Sequence, residues 1–574
     1  MQGRLGRAMR LPIGCDDFGE ILENQLTFVD KSLFIREVIE DTAKVILITR
    51  PRRFGKTLNL SLLHYFFAEQ VLERRTAGLF AGLQIAQFPG CMAHQGQYPV
   101  ISLTFKDIKY ETYDKCYQGL CQILKQIYSL YENIITHPKF PHAYRQQFTA
   151  VLEGKTNETE IHFALLDLTR YLYQCYGVRP IVLVDEYDTP IQAGYQHGYY
   201  EQVVQLMRAV LSPALKNNAY LKKAVLTGVV RVAKEGMFSG LNNIRVYSVF
   251  HERYSAYFGF TEQEVEGLLV QAGLGDQKEA VRDWYNGYQI GTTRVYNPWS
   301  MLCYLEERGR CDCYWLNTSD NVLLKELLLE SSVHVKAQFQ TLFQGGQIQA
   351  ILRDNFVFPE LKQREETLWA LFVMAGYLTP IMEVRHSLGP SQYTLDIPNQ
   401  EIRQIYAQFV CEWLAKDRSE VWYRGIIDEL LLGNIESFAE GLEHIMVQIA
   451  SIHDVAKEPE AFYHGLMLGL ILYLEPPRYR VLSNRESGYG RYDIAIIPED
   501  TRDLGILLEL KRVFSKSRVG KLPLAAAAKA AVEQMNEGKY MTELLSLGFA
   551  RICKIGIAFS GKKLHIDYEI EHFN

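Results

Sequence analysis

Three runs in this chain combine residue types that handle phosphate. Gly55-Lys56-Thr57 follows the β-branched apolar run Val45–Thr49, and from Thr57 onward Leu58, Leu62, Leu63, Phe66 and Phe67 recur at helical spacing. Strand, loop and helix in that order present backbone N–H groups and a positive helix end to an anion. Lys56 would reach the β/γ-phosphates, Thr57 would hold Mg²⁺, and Arg53 and Gly55 of the same loop count among the nucleotide-binding residues. Arg50 stands where the usual G-x-x-x-x-G-K-[ST] pattern has its first glycine. The second run is Ile181–Asp188, an apolar strand ending in Asp185-Glu186. Asp185 would bind Mg²⁺, and Glu186 would orient or deprotonate an attacking water. In the third, Asp493 sits on the apolar run Tyr492–Ile497, and Glu509-Leu510-Lys511 closes the run that starts at Gly505. Residues two apart on a strand share a face, so Glu509 and Lys511 point the same way. Two carboxylates on neighbouring strands can hold Mg²⁺, and a nearby lysine can position water for attack on phosphate.

Each run has a plainer alternative. Gly-Lys-Thr occurs in ordinary turns, Asp-Glu in solvated acidic turns, and Asp493 and Glu509 could be salt-bridged to Lys511 or Arg491. The first two runs strengthen each other, because both fall at carboxyl ends of expected strands, where open α/β sheets bind ligands. A further strand, Ala224–Val229, contains Thr227, which could sense a γ-phosphate, and Arg231 beyond it could neutralise transition-state charge.

The elements that must position these residues follow from periodicity. Asp30-Lys31-Ser32 reads as the cap of a helix through Phe34, Val38 and Ile39; Tyr98–Phe105 reads as a strand; Tyr113–Ile135 and Glu158–Tyr176 read as helices. Gln263–Ala272 is expected to be helical, with Thr261 as cap and Glu264 as its capping-box partner. Trp284–Tyr288 should turn into a short hairpin, and Asn297-Pro298 should start another helix. The middle is expected to be mostly helical with a β-rich patch at Tyr393–Ile397, then helices at Glu401–Ala415 and Ile435–Ile452. From Glu458 the pattern becomes a small α/β unit: a helix over Glu460–Tyr473, then strands Tyr479–Leu482, Tyr492–Ile497 and Gly505–Leu510.

Composition narrows the class. A chain of 574 residues with 48 % hydrophobic and 22 % charged residues reads as folded and multi-domain. A net charge of −6 argues against a generally basic DNA-coating protein, though not against a local basic groove. Lys511, Arg512, Lys516, Arg518 and Lys521 form one basic stretch, suited to a phosphate backbone or to a solvated loop. Ten scattered cysteines without a zinc pattern suggest reduced thiols, and the chain shows neither an apolar signal core nor a membrane-length run. A cytoplasmic protein with no membrane partner is therefore expected.

TRPRRFGKTLN, VLVDEYDTPI, LTGVVRVAKEGMFSGLNN and FGFTEQEV together resemble the AAA-ATPase-like family of bacterial and archaeal proteins. The resemblance spans roughly Leu11–Gly273, implies an ATP-binding P-loop fold, and carries Lys56, Thr57, Asp185 and Glu186 into its nucleotide site. Arg50 looks like a family trait. From about Glu458 to Ile570 the order of Glu460, Gly-x-Gly-Arg-x-Asp, Glu-Leu-Lys and Gln534 resembles the PD-(D/E)xK nuclease superfamily. That resemblance puts Asp493, Glu509 and Lys511 in catalytic positions and Glu460 and Gln534 in supporting ones; Asn484 departs from the acidic residue common there. The expected architecture is α/β throughout. Residues 1–260 would form a P-loop domain with a parallel sheet flanked by helices, 261–400 a helical lid or connector, 401–457 a helical linker, and 458–574 a restriction-endonuclease-like domain. The expected cofactors are ATP and Mg²⁺, with Mn²⁺ as a substitute at the nuclease site. The expected partner is nucleic acid, DNA ahead of RNA, and a homo-oligomer is left open. The expected activity is ATP binding and hydrolysis with metal-dependent phosphodiester cleavage gated by ATP. The alternative is a nucleotide-dependent switch that binds nucleic acid without cutting it.

Overall fold

In a computed structural model the described residues are 9–232, 243–315, 322–343, 345–353, 358–384, 390–406, 420–452, 463, 467, 470, 471, 474, 478–487, 490–513, 524–538, 540–560 and 563–573. The chain divides into two compact units: residues 1–330 with 349–401, and residues 331–348 with 402–574.

The first unit is built on a five-stranded, all-parallel sheet. Its strands are β1 (Val45–Thr49), β2 (Val100–Thr104), β3 (Ile181–Asp185), β4 (Lys223–Gly228) and β5 (Ile244–Tyr247), in the spatial order β2-β3-β4-β1-β5. All five residues of β1 and of β3 are buried, as strands covered on both faces must be, which is why they read as unbroken apolar runs. Helix α1 (Lys56–Phe67) leaves the carboxyl end of β1 and buries Leu62, Leu63, Phe66 and Phe67. The helix over Glu158–Tyr176 starts with a complete capping box between Asn157 and Glu160 and stops at Gly177, whose φ of 70° is open to glycine.

Helix α2 (Glu262–Ala272) has the expected Thr261/Glu264 capping box. The hairpin β6 (Tyr288–Ile290) and β7 (Thr293–Tyr296) follows, then α3 (Pro298–Glu306), capped by Asn297. Two expectations shift. The Tyr113 helix ends at Leu130, and Glu132–Thr136 continues as a 3₁₀ turn, with the Tyr131 hydroxyl donating to the Val100 carbonyl. Ser32 precedes the helix Leu33–Glu40 without capping it, because its hydroxyl is spent accepting the Ile85 N–H at 3.1 Å.

In the second unit five strands form a mixed sheet: β8 (Tyr479–Ser487), β9 (Gly490–Pro498), β10 (Gly505–Arg512), β11 (Arg551–Ser560) and β12 (Lys563–His572), in sequential order. Only β10 and β11 run parallel, joined by a crossover that contains α4 (Leu524–Glu537). Ala495, Leu507, Val532, Met535, Phe549 and Ile552 share the core between this sheet and α4. The helix over Ile435–Ile452 forms as expected. Of the expected helix over Glu401–Ala415, residues 407–415 lie outside the described residues, as does most of Glu460–Tyr473.

Candidate active sites

The phosphate loop is held by its own backbone and by the next strand. Arg53 and Gly55 adopt φ of 66° and 75°, a left-handed path that Gly55 takes without strain and that brings the chain into the first turn of α1. Lys56 is buried, and its ammonium donates to the carbonyls of Arg50 (3.1 Å) and Pro51 (2.8 Å). Burial pulls its pKa below the usual lysine range, against the opposing pull of the Glu186, Asp185 and Asp188 carboxylates. The Thr57 hydroxyl donates to Asp185 Oδ2 at 2.6 Å, and Thr227 donates to the other oxygen, Oδ1. Thr227 is fully buried, so its hydroxyl serves Asp185.

Glu186 has a φ of 50°, unusual for a residue with a side chain, and its Oε2 accepts from the Thr189 hydroxyl at 3.3 Å. Asp188 is a residue that motif reading passed over. It is buried and accepts the N–H groups of Val229 (2.8 Å) and Val230 (2.9 Å), which clasps the end of β4 to the end of β3. Burial raises its pKa. The signal was present in the sequence as a second aspartate three residues after Asp185.

Arg50 explains how the loop dispenses with its first glycine. Its backbone needs no left-handed conformation, and its guanidinium is fully buried. Nη1 donates to the carbonyls of Thr49 (2.7 Å) and Tyr247 (2.9 Å), and the Phe258 ring lies 5.3 Å away. Burial lowers its pKa to about 9. The side chain thus fastens the loop to the end of β5.

A cavity of about 460 Å³ opens over this loop. Arg52, Arg53, Gly55, Lys56, Thr57 and Glu186 line it, together with Val29, Phe260, Leu268 and Leu302. A polar floor and apolar walls of this size suit a nucleotide. Asp185 and Thr227 stand behind the floor, reached through Thr57; Arg231 is not among the lining residues.

The second site lies on the face of the mixed sheet that α4 covers. Glu509 on β10 is buried, and its Oε1 accepts from Gln534 Nε2 on α4 (2.7 Å) and from Lys511 Nζ (2.9 Å). Its Oε2 is buried and has no hydrogen-bond partner among the described residues. Burial, then the negative charge of Asp493, pushes the Glu509 carboxyl up to about 7. Asp493 on β9 accepts the Leu510 N–H at 2.8 Å, which ties it beside Glu509. Of the salt bridges raised as alternatives, the one between Lys511 and Glu509 forms, and it leaves one Glu509 oxygen over. An orphaned carboxylate oxygen beside a second carboxylate is a donor set that fits a divalent cation. Glu460 lies outside the described residues, as do Lys516, Arg518 and Lys521 of the basic stretch. No group of three or more His, Cys, Asp or Glu gathers as a metal site among the described residues.

Comparison with known proteins agrees with this division. Residues 12–238 match the family model described as Predicted AAA-ATPase, and residues 458–569 match that of the PD-(D/E)XK nuclease superfamily. An uncharacterized protein in the vnfD 5′ region of Azotobacter chroococcum mcd 1 is 28 % identical over 428 residues, 74 % of each chain. The solved structure of a Walker-type ATPase of Pyrococcus abyssi aligns with 65 % of this chain and 94 % of its own, at 14 % identity and a TM-score of 0.33. The chain thus carries, in that order, a segment similar to the AAA-ATPase family and a segment similar to the PD-(D/E)XK nuclease superfamily.

Proposed function

We propose that this protein binds and hydrolyses ATP in its first unit and cleaves nucleic-acid phosphodiester bonds in its second, with DNA the favoured substrate and ATP gating the cleavage. The observation that carries the nuclease reading is the buried, unpartnered Oε2 of Glu509 beside Asp493. A buried carboxylate oxygen without a partner costs about 1–3 kcal/mol or more, so its retention calls for a ligand that comes and goes. Asp493 and Glu509 would hold Mg²⁺ or Mn²⁺. When bound, such an ion lowers the pKa of a coordinated water and polarises the phosphate. Gln534 fixes the rotamer of Glu509 through its 2.7 Å hydrogen bond, and the Lys511 ammonium stands where it can hold the attacking water or stabilise charge on phosphorus-bound oxygen.

In the ATP site Lys56 would exchange its two loop carbonyls for phosphate oxygens, Thr57 and Asp185 would hold Mg²⁺, and Glu186 would orient water. Thr227 acts through Asp185, and Arg53 and Gly55 shape the loop. Among the described residues no helix is long and apolar enough to cross a membrane; a cytoplasmic setting completes the reading.

The test is incubation of the pure protein with supercoiled, linear and single-stranded DNA and with RNA, with and without Mg²⁺ or Mn²⁺, and with ATP, ADP, a non-hydrolysable analogue or none. Asp493→Ala and Glu509→Ala should lose cleavage and weaken metal binding by calorimetry, whereas Lys511→Ala should lose cleavage and keep the metal. Nucleic acid that is bound but never cut in any arm would leave the nucleotide-dependent switch instead. Equal cleavage rates in all nucleotide arms would remove the gating.

A further inference from the structure

We propose that Lys106 and Lys109, in the turn after β2, are the cations that meet the terminal phosphate of the bound nucleotide; this rests on the nucleotide-binding reading of the cavity. Neither lysine belongs to the phosphate loop or the acidic strand. Their placement comes from the register of the sheet. β2 pairs in parallel with β3 so that Thr104 lies opposite Asp185, and the Phe105 N–H continues the ladder to the Asp185 carbonyl at 3.1 Å. Lys106 therefore leaves the sheet beside Glu186, at the carboxyl end where α/β sheets collect ligands.

The turn itself is fixed. Phe105 and Ile108 are buried, the Ile108 N–H bonds the Phe105 carbonyl at 3.0 Å, and the Thr104 hydroxyl accepts the Lys106 N–H at 3.3 Å. Two apolar anchors in this short turn leave Lys106 and Lys109 exposed, and both line the same cavity as Lys56 and Glu186. Asp107 between them lines it as well.

The other cations of the cavity are engaged. Lys31 donates to Glu264 and the Ala256 carbonyl, both at 2.7 Å; Lys56 holds its two loop carbonyls; Arg52 reaches Gln192 at 3.3 Å; Arg53 lies 4.4 Å over the Trp299 ring. The ammonium groups of Lys106 and Lys109 have no hydrogen-bond or ion-pair partner among the described residues. A nucleoside triphosphate brings several negative charges into a site that already holds Asp185 and Glu186. Lys56 carries one positive charge and is held by its two loop carbonyls, and Arg231 does not line the cavity. Two free cations at the Glu186 end supply charge where a terminal phosphoryl group would sit and where charge builds up during its transfer.

A terminal-phosphate role makes a specific demand: the lysines must distinguish a triphosphate from a diphosphate. The experiment uses the full chain with Lys106→Ala, Lys109→Ala, the double variant, and Lys106→Arg with Lys109→Arg as the charge-retaining control. Affinities for Mg²⁺ with a non-hydrolysable ATP analogue and for ADP are measured by calorimetry, with phosphate release at saturating ATP and a melting curve for each variant. The double alanine variant should lose about tenfold or more in analogue affinity, keep ADP affinity within about twofold, and release phosphate more slowly, with arginine restoring most of the loss. An equal loss for both nucleotides, or no loss for either, would overturn the assignment while leaving nucleotide binding intact. A parent protein that binds no nucleotide would overturn this inference and the reading beneath it together.

Discussion

Gly556→Ala is the substitution through which the second site can be disturbed without touching any residue that would meet metal or substrate. Gly556 on β11 lies opposite Glu509 in the register of the parallel pair. Helix α4 crosses it closely: a Cβ at position 556 would stand 2.2 Å from the Ala528 carbonyl oxygen and 2.9 Å from the Ala531 Cβ. Both are backbone or short, stiff neighbours, so the helix has to retreat by about 1 Å to reach an ordinary contact. The same helix carries Gln534, whose amide holds Glu509 at 2.7 Å. A 1 Å retreat stretches that bond past hydrogen-bonding range and frees the Glu509 carboxylate to rotate. Overpacking should cost about 1–3 kcal/mol, and the lost positioning should slow cleavage by roughly ten- to a hundredfold. The assays are chemical denaturation and metal-dependent cleavage of plasmid DNA. Gly425→Ala serves as control: nothing lies within 4 Å of its Cβ, and as an exposed helix residue it should gain about 0.5–1 kcal/mol. A Gly556→Ala protein as stable and as active as its parent would refute the close helix–strand approach as the device that sets Glu509.

Lys56→Ala should abolish ATP binding by calorimetry and also lower stability by about 1–3 kcal/mol, because it strips two loop carbonyls of their donor in a buried setting. Glu186→Gln should keep ATP affinity while phosphate release falls by about a hundredfold or more, since an amide accepts the Thr189 hydroxyl but does not take a proton. Glu401 gives a pH dependence. It is fully buried, accepts the Trp315 N–H at 2.9 Å and the Ser300 hydroxyl at 2.8 Å, and burial raises its pKa from 4.5 to about 7. A raised carboxyl favours the folded state fully below pH 4.5 and loses that contribution, roughly 3 kcal/mol at most, as the pH climbs through 7. Glu401→Gln should therefore flatten the pH dependence of the melting midpoint between pH 5 and 8; parallel curves for parent and variant would count against it.

The strand–loop–helix that carries Lys56 was legible because its parts are local. A five-residue apolar strand, a loop and a helix carry their own periodicity, and Asp185-Glu186 ends a second such strand. The hairpin at β6 and β7 and the Thr261 cap were legible for the same reason. Residues whose role is set by a distant neighbour were not. Lys31 reads as a solvated residue of a helix cap, yet it is buried against Glu264, more than two hundred residues away. Asp188 reads as part of an acidic turn until β4 is seen to end on it. In the second unit the sequence marks Tyr479–Leu482 as a strand, but β8 runs on to Ser487 because Arg485–Ser487 pair with residues of β9. Register and pairing partner are long-range properties, and short motifs do not carry them.

The phosphate loop is also buttressed by the segment that follows the sheet. Pro51 lies against Gly376, where an added Cβ would come within 3.0 Å; Phe54 meets the Tyr288 ring edge-on at 5.0 Å; Arg53 stacks over Trp299. Gly376 has a φ of 87°, so glycine there meets both a backbone and a packing requirement. Trp299 stands in the first turn of α3, whose Pro298 and Leu302 line the nucleotide cavity and whose Ser300 holds the buried Glu401. Residue 401 is the last of the first unit, and the chain passes from it directly into the second. Helix α3, which lines the cavity, is thus hydrogen-bonded to the residue at which the chain leaves the unit. A ligand shifts such an element only by the difference in its affinity for two arrangements, and a tenfold change in cleavage needs about 1.4 kcal/mol of that difference. Under the gating proposed above, loss of the Arg53–Trp299 stack, on the order of 0.5–2 kcal/mol, is of the size such a shift requires.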